Sequence, residues 1–118
     1  DVTGFGLIGH AREMAAASNV TLEIDAARLQ FLPGALDYAR QGAIPGGLKN
    51  NREFAGPQVE IDGPLAPEVE NLLYDPQTSG GLLVAVPPGR VAHYLSKMNG
   101  AIEIGEVTDK EEFAIIVD

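Results

Sequence analysis

Apolar residues near the start of the chain recur first with the period of a helix and then with that of a strand. Over residues 5–17 they define one helical face, made of Leu7, Ile8, Ala11, Met14 and Ala15, and the small polar residue Ser18 falls on the same face. Thr3 stands where the N-cap of this helix is expected. From Val20 to Ile24, apolar and polar residues alternate, which predicts a strand with one buried face.

The rest of the chain predicts three more helices and four more strands. The helices are residues 34–41, residues 67–74 and a segment that begins at Pro88 and is ended by Gly100; the strands are residues 59–61, 82–86, 101–107 and 113–117. The run from Leu82 to Val86 is apolar throughout, which is typical of a strand buried on both faces. Residues 43–58 are rich in Gly, Pro and Asn and predict a long loop. Because helices and strands mix without a regular βαβ repeat, we expect an α+β fold, with a mixed β-sheet packed with helices.

Composition narrows the class of protein. The 118 residues correspond to one domain. The net charge of −9 argues against a nucleic-acid binder, since affinity for the phosphate backbone comes mostly from Lys and Arg. The chain has no cysteine, which excludes a thiolate metal site or thiol nucleophile within it, and no apolar run near the roughly 20 residues that span a bilayer. We expect a cytoplasmic protein with no membrane partner, and the missing initiator Met indicates a piece of a longer chain.

Residues 4–9 read Gly-Phe-Gly-Leu-Ile-Gly and match the dinucleotide-binding pattern G-x-G-x-x-G. Asp25 extends the match, because it follows Gly6 by nineteen residues and closes a predicted strand, as a ribose-binding acid does. Against this interpretation, the later strands lack the succession of parallel apolar strands of a doubly wound sheet. In the alternative interpretation the glycines are structural: Gly4 and Gly6 permit a tight turn, and Gly9 lets the helix pack closely against a sheet.

Three stretches together are more specific than any one of them. They are DVTGFGLIGH at residues 1–10, IPGG at residues 44–47 and DPQTSGGLL at residues 75–83. At these residues the chain closely resembles the C-terminal domain of selenophosphate synthetase (selenide, water dikinase). The wider superfamily includes aminoimidazole ribonucleotide synthetase, thiamine-monophosphate kinase and the hydrogenase-maturation dehydratase. The resemblance covers essentially the whole chain, and its third stretch favours the selenium branch.

The resemblance implies a two-domain enzyme, with this chain as a C-terminal domain of the aminoimidazole ribonucleotide synthetase-like type. Most of the ATP site and a reactive Cys or selenocysteine would lie in an upstream domain, so no catalytic residue is expected here. The implied reaction converts selenide, ATP and water into selenophosphate, AMP and phosphate, with Mg²⁺ as cofactor, in a homodimer formed mainly through the upstream domain. The alternative within the superfamily is an ATP-dependent synthetase or kinase of purine or thiamine metabolism. The alternative outside it is a dinucleotide-binding or non-catalytic binding module.

The resemblance also implies one metal ligand in this chain. Asp1 corresponds to an aspartate that helps to bind magnesium in the family, together with carboxylates of the upstream domain. Mg²⁺ is usually held by one or two carboxylates along with phosphates and water, which suits such a shared site. The alternative is that Asp1 only caps the following turn.

Residues 75–81 predict a turn rich in hydrogen-bond donors. Thr78 and Ser79 supply hydroxyls, and Gly80 and Gly81 allow backbone N–H groups to converge on an anion. Asp75 can hold the turn through its own backbone. The turn is either a wall of the active-site cleft that faces phosphate or selenium species, or a structural turn that leads into the strand at Leu82.

The IPGG stretch departs from the family pattern at one position. The family has a Thr directly after the two glycines and an Asn three residues later. Here Leu48 replaces the Thr, so no hydroxyl-dependent role is expected there, whereas Asn51 matches. Lys49 and Arg52 are interpreted as solvated loop charges, with phosphate contact as the alternative. His10 is interpreted as a solvated or core-edge residue.

Overall fold

A four-stranded mixed sheet organises the chain in the computed structural model, which describes all residues from 1 to 118. The strands are β1 (Val20–Ile24), β2 (Val59–Ile61), β3 (Gly105–Asp109) and β4 (Ile115–Val117). The helices are α1 (Gly6–Ser18), α2 (Ala35–Arg40), α3 (Gly46–Ala55), α4 (Pro67–Leu73) and α5 (Val91–Lys97). The expected α+β fold with a mixed sheet is confirmed.

The strand order across the sheet is β2-β4-β1-β3. The central strand β1 runs parallel to β4, with Leu22 opposite Ile115, and antiparallel to β3. β2 runs parallel to β4. Thr21 is fully buried, and its hydroxyl donates to the carbonyl of Phe113 (2.7 Å) and accepts from the N–H of Glu111 (2.9 Å). This side chain therefore fixes the turn before β4 onto β1.

Helix α1 covers the sheet and carries much of the core. It contacts β1 and β4 on one side and α3 and α4 on the other. Ala11 and Ala15 are fully buried beside Ile8, and such small side chains allow a helix axis to approach its neighbours closely. Leu48 of α3 and Leu73 of α4 complete this core. None of the five helices combines the length and apolar character that crossing a bilayer requires.

The predicted loop over residues 43–58 is wrong, because most of it is helical. Helix α3 occupies Gly46–Ala55, and a 3₁₀ turn follows at Gly56–Gln58. The buried positions Leu48, Asn51 and Ala55 are spaced by three and four residues, as helix burial requires. A polar residue in the middle of that stripe conceals the helical period, and the surrounding Gly and Asn residues resemble a loop.

The predicted strand at residues 82–86 is also wrong. This segment belongs to no strand, and Leu82 is 73% exposed, whereas Leu83 is partly buried against the hydrophobic core. Its apolar run indicated a tendency to be buried, but burial needs a partner strand, and the sheet ends at β2 and β3 without including it. The strand expected from residue 101 begins only at Gly105, whereas the helices expected at residues 34–41, 67–74 and after Pro88 are confirmed within a few residues.

Candidate functional site

The first and third of the family-like stretches lie side by side. The backbone N–H of Val2 donates to the carbonyl of Gly81 (2.9 Å), and the N–H of Gln77 donates to the carbonyl of Thr3 (3.0 Å). Val2 is buried at this contact. The segment that carries Asp1 is thus held against the turn over residues 75–81.

Asn51 brings in the second stretch. Its side chain is buried, and its amide nitrogen Nδ2 donates to the carbonyls of Gly4 and Tyr74, at 2.9 Å each. Gly47, one turn earlier on α3, lies against the ring of Pro76, and a Cβ on it would stand 3.3 Å from Cγ. We call the region where the three stretches meet the motif junction, comprising residues 1–6, 47–51 and 74–77.

Leu48 explains why the family's Thr has no counterpart here. Its side chain is 2% exposed and belongs to the hydrophobic core beneath the motif junction. A hydroxyl at this position would face the core, whereas leucine fills it. The expectation that no hydroxyl acts at this position therefore agrees with its burial.

Two glycines, one in the junction and one just after it, are required by close backbone contacts. Gly6 has φ +72°, and a Cβ there would lie 2.9 Å from the carbonyl oxygen of Asp75 and from the carbonyl carbon of Tyr74. At Gly80 a Cβ would collide with the carbonyl oxygen of Val2. Side chains at either position would push residues 1–6 and 74–81 apart.

These contacts support the structural interpretation of G-x-G-x-x-G. The space next to Gly6 is filled by protein backbone, so no pyrophosphate can approach it there. Gly9 does not face the sheet as expected; its nearest neighbour is the side chain of Phe5 at the start of the same helix. Asp25, the expected ribose ligand, instead accepts from the N–H of Ala27 and pairs with Arg28.

Asp1 is exposed, and its carboxylate forms no hydrogen bond or ion pair within the chain. No group of three or more His, Cys, Asp or Glu side chains is placed to share a metal ion. The role of Asp1 as one ligand of a shared site stays a prediction.

The segment after the junction, residues 78–81, is exposed and offers free donors; we call it the donor loop. The hydroxyls of Thr78 and Ser79 bond to no group in the chain, nor do the backbone N–H groups of Thr78, Ser79 and Gly81. Such groups are available to an anion, and the predicted role of Thr78, Ser79, Gly80 and Gly81 stays open.

The carboxylate of Asp75 does not make the backbone contact that the sequence predicts. Its carboxylate accepts from the side-chain amide of Gln77 (3.4 Å), not from its own backbone. Partial burial raises the pKa of this carboxyl above its ordinary value. Burial, and then the charge of Glu70, raise the pKa of the neighbouring Tyr74.

The basic residues of α3 differ from one another. Lys49 is exposed, as expected of a solvated charge. Arg52 is not solvated in this way: its Nη2 donates to Asn71 (3.0 Å) and lies 3.4 Å from a carboxylate oxygen of Glu70, and the guanidinium lies over the ring of Tyr74. Arg52 therefore connects α3 to α4, which leaves it poorly placed to bind phosphate.

A side-chain relay at the start of α1 was missed by the sequence analysis. Thr3 does not cap the helix; its Oγ1 lies 2.9 Å from Nε2 of His10, whose Nδ1 lies 3.0 Å from a carboxylate oxygen of Glu13. The only sequence signal was the spacing of His10 and Glu13, three residues apart on one helical face. The residue that meets them across the turn cannot be read from periodicity.

Comparison with known proteins shows the family of this chain. The family described as "AIR synthase related protein, C-terminal domain" matches residues 1–118. The chain belongs to this family. The expected resemblance to that superfamily is thereby confirmed over the whole chain.

Several proteins that are similar to this chain are named selenide, water dikinase. Selenide, water dikinase of Clostridium botulinum (strain Eklund 17B / Type B) is 41% identical over 121 residues, which cover 99% of this chain and 35% of the relative. That of Clostridioides difficile (strain 630) is 43% identical over 122 residues, with the same two shares. Selenide, water dikinase 2 of Peptoclostridium acidaminophilum is also 43% identical over 122 residues, again with shares of 99% and 35%. The chain spans about a third of the length of these relatives, and the expected similarity to the selenium branch is confirmed.

Proposed function

We propose that the chain is the C-terminal domain of an ATP-dependent enzyme that makes selenophosphate from selenide, ATP and water and releases AMP and phosphate. One observation carries the proposal: the three stretches that resemble selenophosphate synthetase are far apart in sequence but meet in the motif junction. Asn51, four residues beyond the second stretch, donates hydrogen bonds to the carbonyl of Gly4 in the first stretch and to that of Tyr74, directly before the third. The relatives named selenide, water dikinase, which match 99% of this chain, support the same substrate.

In this proposal the motif junction presents one wall of a cleft, which the rest of the enzyme completes. The donor loop faces the cleft and offers the hydroxyls of Thr78 and Ser79 and the N–H of Gly81 to phosphate or selenophosphate oxygens. These donors are unpaired within the chain, so an anion displaces only water from them. The end of the donor loop is held in place because Gly80 and Gly81 contact the backbone of Val2.

Asp1 contributes one magnesium ligand in the proposed enzyme. Its carboxylate is exposed and unpaired, and carboxylate oxygen is the ligand type that Mg²⁺ prefers. In this proposal the remaining ligands come from outside this chain; within it, no group of three or more His, Cys, Asp or Glu side chains is placed to hold a metal ion. Magnesium, when bound, neutralises negative charge that develops on the transferred phosphoryl group. The cytoplasmic location and the homodimer implied by the resemblance belong to this proposal.

The metal role is tested by replacing Asp1 with Asn in the full-length protein and measuring selenide-dependent AMP formation against magnesium concentration. We expect the rate at low magnesium to fall by at least about tenfold, with partial recovery at high magnesium, because one charged ligand is lost. Asp62→Asn is the matched control, since Asp62 is exposed and its side chain forms no hydrogen bond or ion pair in the chain. Equal rates for Asp1→Asn and Asp62→Asn would contradict the metal role.

A second candidate stays within the family, whose description names AIR synthase. In that case the full-length protein would act on a purine or thiamine precursor and would form no AMP with selenide. A dinucleotide-binding module has less support, because backbone fills the space beside Gly6. Titration of NAD into the protein tests this last alternative, and micromolar binding would favour it.

A further inference from the structure

Thr3, His10 and Glu13 form a continuous hydrogen-bonded relay beside the motif junction. The hydroxyl of Thr3 and a carboxylate oxygen of Glu13 bind opposite nitrogens of the His10 ring, at 2.9 and 3.0 Å. The His10 side chain is 19% exposed, and its ring centroid lies 5.4 Å from that of Phe5. The His10 ring is thus held by one hydrogen bond at each nitrogen and by the ring of Phe5 beside it.

The chemistry of the two end groups fixes the direction of the relay. An ionised carboxylate can only accept, so Nδ1 of a neutral His10 carries the proton toward Glu13. Nε2 is then the acceptor, and the hydroxyl of Thr3 donates to it. The proton on Thr3 therefore points at the imidazole, and the oxygen lone pairs of the hydroxyl point away from it.

Thr3 is the residue through which this relay reaches the rest of the site. Its carbonyl accepts from the backbone N–H groups of Gly6 and Gln77, at 3.0 Å each. The preceding residue, Val2, donates to Gly81 of the donor loop. The contacts of Thr3, together with that of Val2, thus fix the short segment that begins at Asp1.

We propose that His10 and Glu13 are positioning residues that hold Thr3, and through it Asp1 and the donor loop, in the arrangement that binds the metal–phosphate group. The catalytic consequence rests on the proposed function, whereas the tautomer of His10 and its coupling to Thr3 do not. Neither His10 nor Glu13 needs to touch the substrate for this effect.

Kinetics of the full-length protein test the consequence. His10→Ala is expected to raise the Mg·ATP concentration at half-maximal rate about three- to tenfold, with a smaller change in kcat, because one hydrogen bond that orders the binding segment is lost. Thr3→Val should have a similar effect, and Thr3→Ser, which keeps the hydroxyl, should restore most of the affinity. The double variant His10→Ala, Thr3→Val should be little worse than either single variant, since both remove the same contact. His93→Ala is the matched control, because His93 is exposed and its ring forms no hydrogen bond or ion pair.

Additive effects of the two single variants, or equal effects of His10→Ala and His93→Ala, would overturn the proposal. If His10→Ala does not fold, the Thr3→Val and Thr3→Ser pair gives the same comparison. Nitrogen-15 NMR of the histidine rings is independent of activity: we expect the tautomer of His10 with the proton on Nδ1, and a shift of its Nε2 signal in Thr3→Val. A proton on Nε2 would overturn the relay even in an active enzyme. An absence of selenide-dependent AMP formation would instead remove the proposed function and leave the relay standing.

Discussion

The motif junction and the donor loop are adjacent and both contain glycine, yet most of their hydrogen-bonding groups are used in opposite ways. In the junction the side-chain amide nitrogen of Asn51 donates to two carbonyls, and Gly6 touches the backbone of Tyr74 and Asp75. In the donor loop the hydroxyls of Thr78 and Ser79 have no partner, and the space beside Gly81 is open. Satisfied groups hold a structure in place, whereas exposed unsatisfied donors are available to a ligand. The comparison separates residues that build the site from residues that can bind within it.

The largest expected effect on stability comes from replacing a glycine of each region. Gly6→Ala should lower the free energy of unfolding by about 3 kcal/mol or more, because its φ of +72° and its contact with the 74–75 backbone both exclude a side chain. Gly81→Ala should change it by less than about 0.5 kcal/mol, since a Cβ there meets no atom within 4 Å. Urea titrations of both variants measure the difference. Similar values for the two variants would contradict the division into junction and donor loop.

A smaller but clear effect is expected at Asn51. Asn51→Ala leaves the carbonyl of Gly4 and the buried carbonyl of Tyr74 without their shared donor and should cost about 2–3 kcal/mol of unfolding free energy. Asn50→Ala is the matched control on the same helix, because Asn50 is exposed and its replacement should cost no more than about 0.5 kcal/mol. Hydrogen exchange at Gln77 should accelerate in Asn51→Ala alone. If exchange there is unchanged, Asn51 does not hold the third stretch.

The smallest effect concerns pH and Asp75, at the border between the two regions. Burial raises the pKa of Asp75 in the folded protein above its unfolded value, so the folded state binds the proton more tightly. Its contribution to stability is therefore present below the unfolded pKa, near 3.9, and is lost as the pH rises through the folded pKa. Asp75→Asn should remove this dependence and be slightly more stable than the native protein at pH 7. A native protein that gains stability from Asp75 as the pH rises would contradict the assignment.

The sequence predicted the first 24 residues of the fold better than residues 43–58 and 82–86. Alternation in Val20–Ile24 and the apolar face of α1 are strong local signals, and both elements lie where expected. Helix α3 was missed because Asn51, a polar residue, occupies the centre of its buried face. Residues 82–86 were misjudged because hydrophobicity indicates burial without naming a partner.

The candidate site was predictable only in part, for a related reason. The three stretches were identified by resemblance, but their meeting depends on hydrogen bonds between residues far apart in sequence, such as Asn51 with Gly4. The relay from Thr3 through His10 to Glu13 depends on a turn whose geometry no periodicity describes. Expected roles for Asp1 and for residues 78–81 depend on groups outside this chain and stay predictions.

The most direct test of the central claim is the nucleotide product of the full-length protein in the presence of ATP, magnesium and selenide. We expect AMP to form together with selenophosphate, with both products depending on selenide. Asp1→Asn should reduce both in parallel, and Asp62→Asn should leave them unchanged. Formation of ADP without selenide dependence, or no reaction with selenide at all, would contradict the proposed function.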